Sequence, residues 1–140
     1  MKIVVTGGAG FVGSHVAEFY ASNAENEVIV LDNLSRAKLL KKQIRNLDYN
    51  VKYLSKFGNV KFFNCDITYK KRVSSLIDGA DAVFHTAAQT AVTTSVIDPE
   101  TDFNVNIVGT FNVLEAARKS KANPAIIYCS TNKVYGGNVN

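Results

Sequence analysis

Two rhythms of apolar positions alternate along the chain. Short runs rich in β-branched residues read as strands: "KIVVT" at 2–6, "EVIVLD" at 27–32, "VKFFNCD" at 60–66, "DAVFHTAA" at 81–88 and "AIIYCS" at 125–130. The first has no polar alternation before its glycine turn, as in a strand covered on both faces of a parallel sheet, and Ala125 to Cys129 is likewise expected to be buried. Between the strands the period lengthens. A helix is predicted from about Phe11 to Ala21, with Val12, Val16 and Phe19 on its inner face. Leu40, Ile44, Leu47, Val51 and Leu54 recur at spacings of four and three, which predicts an amphipathic helix. "ITYKKRVSSLID" suits a short helix ended by Gly79. After Pro99 a long helix is predicted from about Glu100 to Lys119. Phe103, Ile107, Phe111 and Leu114 line one side of it, and Val105 and Val108 widen the apolar face.

Strands alternating with helices predict an α/β fold, a doubly wound parallel sheet of the Rossmann kind with helices on both faces. Right-handed crossovers favour the strand order 3-2-1-4-5. Ligands of such sheets bind beyond the C-terminal strand ends, where the winding reverses between strands 1 and 4. The chemically suggestive residues of this chain all lie at those ends.

The 140 residues fit one domain, and 46% hydrophobic residues suffice for one core. No apolar run reaches membrane-spanning length, and the apolar stretch of "MKIVVTGGAG" is too short for a signal peptide, so a cytoplasmic location is expected. Cys65 and Cys129 fit no metal or redox spacing and read as free thiols; no metal site is expected. The formal charge of +4 is uneven: residues 33–58 hold seven of the sixteen basic residues and one acid. A nucleic-acid patch is one reading of that segment. The other is the solvated face of the amphipathic helix, which is preferred because no aromatic stacking motif accompanies the charge.

"TGGAGFVG" spaces Gly7, Gly10 and Gly13 by three and three, directly between a predicted strand and a predicted helix. Gly7 permits the tight turn, Gly10 lets a diphosphate approach the backbone, and Gly13 lets the helix pack on the strand. The helix N-terminus then offers N–H groups and partial positive charge to the diphosphate. Asp32 ends the second strand, 25 residues after Gly7. A carboxylate there accepts hydrogen bonds from both ribose hydroxyls of an adenosine and repels a 2′-phosphate, favouring NAD over NADP. Arg36 is the counter-argument, since an arginine holds such a phosphate. An acid at Asp32 also suits a helix N-cap.

With these stand "LDNLSR", "CDI", "HTAAQ", "TTSVIDPETDFNVNIVGTFNVLEAAR" and "YCSTNKVYG", in that order. On these motifs, over nearly its whole length, the chain resembles the NAD-dependent epimerase/dehydratase family, the extended short-chain dehydrogenases. Within it, "AVTTSVIDP" and "STNKVYG" look most like the CDP-paratose (CDP-tyvelose) 2-epimerases. UDP-glucose 4-epimerases and nucleotide-sugar 4,6-dehydratases share most of the other motifs. The resemblance implies NAD as cofactor and a nucleotide sugar as substrate. It implies that Gly7, Gly10, Phe11 and Val12 contact the diphosphate and that Asp32 and Asn33 hold the adenosine ribose; Arg36, able to hold a 2′-phosphate there, is counted with the cofactor-binding residues. Asp66 and Ile67 would meet the adenine edge, although Asp66 also suits a cap for the helix that follows. Thr86, Ala87, Ala88 and Gln89 would lie against the nicotinamide half, and His85 in that run reads as a packed strand-end residue. Asn106 matches a helix asparagine of partly structural role, Ser130 falls in the cofactor set, and Thr131 matches a hydroxyl that bonds the reacting sugar oxygen, or else serves the turn.

Family members oxidise a sugar carbon by passing hydride to NAD, invert or eliminate at the keto intermediate, and return the hydride. Their base is the tyrosine of Tyr-x-x-x-Lys, its pKa lowered by the lysine. Here the residues four beyond Tyr20, Tyr49, Tyr53, Tyr69, Tyr128 and Tyr135 are Ala24, Tyr53, Phe57, Val73, Asn132 and Val139. None is lysine, and Lys133 precedes Tyr135 in the wrong order. The expectation is therefore that residues 1–140 are the NAD-binding Rossmann domain of a longer epimerase whose substrate lobe is absent, inactive alone. A non-catalytic dinucleotide-binding module is the other class. A homo-oligomer is expected, with neither nucleic acid nor membrane as partner.

Overall fold

The computed structural model describes residues 1–35, 48–90, 92–131 and 134. β1 (Lys2–Thr6), β2 (Glu27–Asp32), β3 (Val60–Asn64), β4 (Ala82–His85) and β5 (Ala125–Tyr128) form one sheet in the order β3-β2-β1-β4-β5, every pair parallel. The expected strand order is therefore the observed one. The central strand explains the unbroken apolar run of "KIVVT". Val4, paired with Ile29 and Val83, joins one core cluster, while its neighbours Ile3 and Val5 join the other with Val28, Val30 and Ala82. Side chains alternate between faces, so a strand covered on both sides must be apolar at every position.

Six α-helices are described: α1 (Phe11–Ala21), α2 (Tyr49–Leu54), α3 (Lys70–Ile77), α4 (Val92–Ile97), α5 (Pro99–Phe103) and α6 (Thr110–Lys119). α1 and α2 contribute Ala17, Ala21 and Leu54 to one face of the sheet; α3 and α6 contribute Val73, Ile77, Val113, Ala116 and Ala117 to the other. α5 runs through a π-helical turn (Asn104–Gly109) into α6. Asp98 caps α5 by accepting the Thr101 N–H at 3.0 Å, with Pro99 in the first turn, where its missing N–H costs nothing. No helix among the described residues is long and apolar enough to cross a membrane.

The structure departs from the sequence reading at four points. The inner face of α1 is Gly13, Ser14, Ala17 and Ala21; Val16 is half-buried, and Val12 and Phe19 are exposed. The cause lies at Gly13, where an added Cβ would stand 2.7 Å from Thr86 Oγ1 and collide with the Gly7 carbonyl. An approach that close leaves room only for small side chains at 13, 17 and 21. Second, β5 is not a buried strand: Ala125, Ile127 and Tyr128 are exposed, and only Ile126 packs on a core cluster. Among the described residues it is the outermost strand, with a neighbour on one side only. Third, α4 lies in a stretch with no predicted element, because none of its residues is buried and its sequence carries no core-facing period. The apolar side of the long helix, Phe103, Ile107, Phe111 and Leu114, is exposed, while Asn112, Val113, Ala116 and Ala117 face inward. Of the predicted basic helix, Leu40, Ile44 and Leu47 lie outside the described residues; Leu54 at its end is buried.

Candidate functional site

A cavity of about 600 Å³ opens beyond the C-terminal strand ends, at the β1/β4 reversal. Gly7, Gly10, Phe11 and Val12 line it from the turn after β1, and Asp32 and Asn33 from the end of β2. Asp66 and Ile67 line it from beyond β3, and Thr86, Ala87, Ala88 and Gln89 from beyond β4. Twelve of the expected site residues thus share one cavity. Asn106 stands behind the wall, Ser130 and Thr131 lie exposed past β5 outside the lining, and Arg36 lies outside the described residues, as do Lys133 and Tyr135. Thr94, Asp98, Thr101 and Val105, none of which the sequence marked as a site residue, close the cavity from α4 through the π-helical turn.

The turn after β1 is built for close approach. Gly7 has φ +70° and donates its N–H to Leu31 C=O at 2.7 Å; a side chain there would be strained and would collide with Ala87. Gly10 precedes α1 as its N-cap, and no side chain caps the helix. A Cβ at Gly10 would meet only the Gly7 carbonyl, so the space on its cavity side is clear. Uncapped first-turn N–H groups facing clear space suit a diphosphate.

Asp32 ties β2 to this turn. One carboxylate oxygen accepts the Ala9 N–H at 3.0 Å and the other the Leu34 N–H at 2.8 Å. The second contact closes a turn in which Leu34 takes the left-handed conformation, φ +55°. Each oxygen keeps a lone pair for a ribose hydroxyl. Asn33 donates to Asp66 Oδ2 at 2.7 Å, while Asp66 Oδ1 accepts the Thr68 N–H and hydroxyl at 2.9 and 2.8 Å. Burial pushes the Asp66 carboxyl up, but these hydrogen bonds outweigh it and hold it below the ordinary carboxylate range. Asp66 therefore stays an acceptor. It shapes the turn before α3 rather than capping that helix, whose N-cap is Tyr69. Asn112, unmarked by the sequence, donates to the carbonyls of Ile67 at 3.1 Å and Thr68 at 3.0 Å and so fixes that loop from α6.

Beyond β4 the chain is held by Thr6. Its carbonyl accepts the Thr86 N–H at 3.1 Å and the Thr86 hydroxyl at 2.7 Å, and its hydroxyl oxygen accepts the Ala87 N–H at 3.3 Å. The Thr6 hydroxyl also lies 2.7 Å from His85 Nδ1. His85 Nε2 lies 2.9 Å from Thr110 Oγ1, so both ring nitrogens of the neutral imidazole are hydrogen-bonded, one donating and the other accepting. Burial at 1% exposure lowers the His85 pKa to about 4, so the ring is neutral near neutral pH. His85 does not line the cavity, in keeping with a packed strand-end residue.

Gln89 ends the wall. Asn106 holds both of its backbone groups: Asn106 Oδ1 accepts the Gln89 N–H at 2.9 Å and Asn106 Nδ2 donates to the Gln89 carbonyl at 3.0 Å. Among the described residues, Gln89 Nε2 is the one buried side-chain polar atom with no hydrogen-bond partner. Left unpaired, such an atom costs about 1–3 kcal/mol. No group of three or more histidine, cysteine, aspartate or glutamate side chains among the described residues could hold a metal ion.

An uncapped glycine turn, an acid closing the second strand and a cavity at the sheet's reversal define a dinucleotide-binding Rossmann domain. The sequence profile described as the NAD dependent epimerase/dehydratase family matches residues 3–140, and the chain belongs to that family. The chain is 45% identical over 138 residues to CDP-paratose 2-epimerase of Salmonella typhi, covering 97% of this chain and 38% of that protein. It is 34% identical over 146 residues to dTDP-glucose 4,6-dehydratase of Salmonella typhimurium, with the same two coverages. Among solved structures it is similar to UDP-glucuronic acid 4-epimerase from Bacillus cereus in complex with UDP-glucuronic acid and NAD. There the TM-score is 0.80 at 30% identity, covering 97% of this chain and 42% of the other. It is also similar to UDP-glucose 4-epimerase from Thermotoga maritima with UDP-glucose, at TM-score 0.76 and 35% identity, covering 100% and 41%. The chain thus spans about two fifths of the length of these relatives.

Proposed function

We propose that the chain is the NAD-binding part of a nucleotide-sugar epimerase acting on a CDP-activated sugar, as CDP-paratose 2-epimerase does. The observation that carries the cofactor reading is the bond from the Ala9 N–H to Asp32, which joins the phosphate turn and the ribose acid in one cavity. The 45% identity to the Salmonella typhi enzyme supports the substrate class. When bound, NAD supplies the oxidant for the sugar carbon and the reductant that restores it. The first-turn N–H groups of α1 hold the diphosphate, Asp32 orders the adenosine ribose, and Asn33, Asp66 and Ile67 border the adenine. Thr86 to Gln89 form the wall of the nicotinamide half, and Thr131 holds a sugar hydroxyl. Proton transfer falls to a Tyr-x-x-x-Lys pair, which these 140 residues do not contain.

The test uses the full natural protein that contains this chain. Incubated with CDP-paratose, it is expected to give an equilibrium with the 2-epimer, followed by proton NMR. Loss of water from dTDP-glucose with no action on CDP-paratose would assign it to the dehydratases instead. Failure to bind NAD would overturn the whole reading.

A further inference from the structure

We propose that Asp102 is a positioning residue. Acting through Asn106, it holds Gln89 so that the unpartnered side-chain N–H of Gln89 meets an oxygen of the bound dinucleotide; this rests on the NAD-binding reading above. The contacts form a chain from α4 to the end of β4. Ser95 donates its hydroxyl to Asp102 Oδ1 at 2.7 Å, and Asn106 Nδ2 donates to the same oxygen at 3.0 Å. Asn106 then brackets the Gln89 backbone, donating to its carbonyl and accepting its N–H.

Asp102 decides the sense of that bracket. A carboxylate only accepts, so it requires the NH₂ side of the Asn106 amide. Turned the other way, Asn106 would set its oxygen against the Asp102 carboxylate and the Gln89 carbonyl, and its NH₂ against the Gln89 N–H. All three contacts would be repulsive. Only the observed sense pairs every group, and it fixes the backbone that carries the Gln89 side chain. Asn106 lies within the π-helical turn, a wider coil than the α5 that carries Asp102, and such turns recur at functional sites. Gln89 lines the cavity, and its Nε2 is the buried donor left over among the described residues. The network thus holds in place the backbone of the residue whose buried side-chain donor still needs an acceptor.

The experiment compares, in the full natural protein, Asp102→Ala, Asp102→Asn, Gln89→Ala and the double variant Gln89→Ala/Asp102→Ala. NAD affinity is measured by calorimetry, and the exchange of the Gln89 backbone N–H by NMR without ligand. Losing one well-placed hydrogen bond weakens NAD about three- to tenfold, for Asp102→Ala and for Gln89→Ala alike. The double variant is expected to bind no worse than the weaker single one, because the two residues act through one contact. Asp102→Asn, whose amide oxygen accepts from both Ser95 and Asn106, restores affinity to within about threefold. A bystander that merely supported the fold would give additive losses and no such rescue. Without ligand, the Gln89 N–H exchanges faster in Asp102→Ala and is protected again in Asp102→Asn. Multiplying losses in the double variant, an unchanged affinity in Gln89→Ala, or unchanged exchange in Asp102→Ala would each overturn the proposal while NAD binding stands. Absence of NAD binding by the wild type would overturn the cofactor reading itself, and this proposal with it.

Discussion

The Asp32 carboxylate accepts the Ala9 N–H at 3.0 Å, so the acid that ends β2 and the glycine turn that follows β1 are one mechanical unit. The other oxygen is held by the Leu34 N–H at 2.8 Å, which fixes the carboxylate on both sides. A negative charge so fixed meets ribose hydroxyls favourably and a 2′-phosphate unfavourably. NAD is expected to bind more tightly than NADP by about 1–3 kcal/mol, the scale of one unmatched charged contact. Titration of both dinucleotides by calorimetry measures the difference. Equal or tighter NADP binding would mean that Arg36 outweighs Asp32.

Gly13 gives a test of packing. A methyl there would stand 2.8 Å from Gly8 Cα and 2.7 Å from Thr86 Oγ1, which is itself bonded to the Thr6 carbonyl at 2.7 Å. Neither backbone nor a committed hydroxyl yields easily. Gly13→Ala is expected to cost about 1–3 kcal/mol, the usual range for overpacking. Gly58→Ala, where an added Cβ meets nothing within 4 Å, is the control and should lie within about 0.5 kcal/mol of wild type. Chemical denaturation of both variants decides; equal stability would mean that α1 can shift away from β1.

What the sequence made legible follows from what period and punctuation can encode. Strand identity and order were readable because "KIVVT" and "EVIVLD" are apolar on both faces and the connections are crossover length. The glycine turn and Asp32 were readable because fixed residue types must stand there. The face of α1 was not, since Val12, Val16 and Phe19 carry more hydrophobicity than Gly13 and Ala17, and only the collision at Gly13 shows which side the sheet admits. The π-helical turn was hidden because the spacing of Phe103, Ile107, Phe111 and Leu114 by itself fits an unbroken α-helix. Without that turn, nothing linked Asp102 and Ser95 to Gln89. Asn106 was marked, but only by resemblance; its bracket on Gln89 depends on residues 17 apart in the chain.

His85 predicts a pH dependence. Its pKa is lowered from an ordinary 6.5 to about 4 by burial. Between those values the unfolded chain binds a proton that the folded chain refuses, so stability falls as pH drops. The contribution is complete above about pH 6.5, about 2 kcal/mol is lost by pH 5, and about 3 kcal/mol below pH 4. Glu27 and Glu115, lowered from 4.5, and Asp66, lowered from 3.8, add their own losses only in more acid solution, so the window from 6.5 to about 5 belongs to His85. Urea unfolding at pH 7 and pH 5 should show this drop in wild type and not in His85→Gln. The same slope in the variant would place the effect elsewhere.

The 140-residue chain by itself is expected not to turn over any nucleotide sugar. Thr131 can hold a hydroxyl, but a threonine hydroxyl ionises far above neutral pH and cannot take a proton from a sugar carbon or oxygen. His85 is a base in principle, yet both ring nitrogens are committed, to Thr6 and to Thr110, and it does not line the cavity. No tyrosine is followed four residues on by a lysine. Loss of the acid–base group costs about 10² to 10⁴ in rate. On the reading proposed above, the groups that position the sugar lie outside this chain, which removes a further ~7 kcal/mol or more of proximity. Together these put turnover below detection even where NAD binds. The measurement is incubation of the isolated chain with NAD and CDP-, UDP- or dTDP-sugars, watching for NADH absorbance and for epimerised product. Clear turnover would show that a base other than Tyr-x-x-x-Lys operates within these residues.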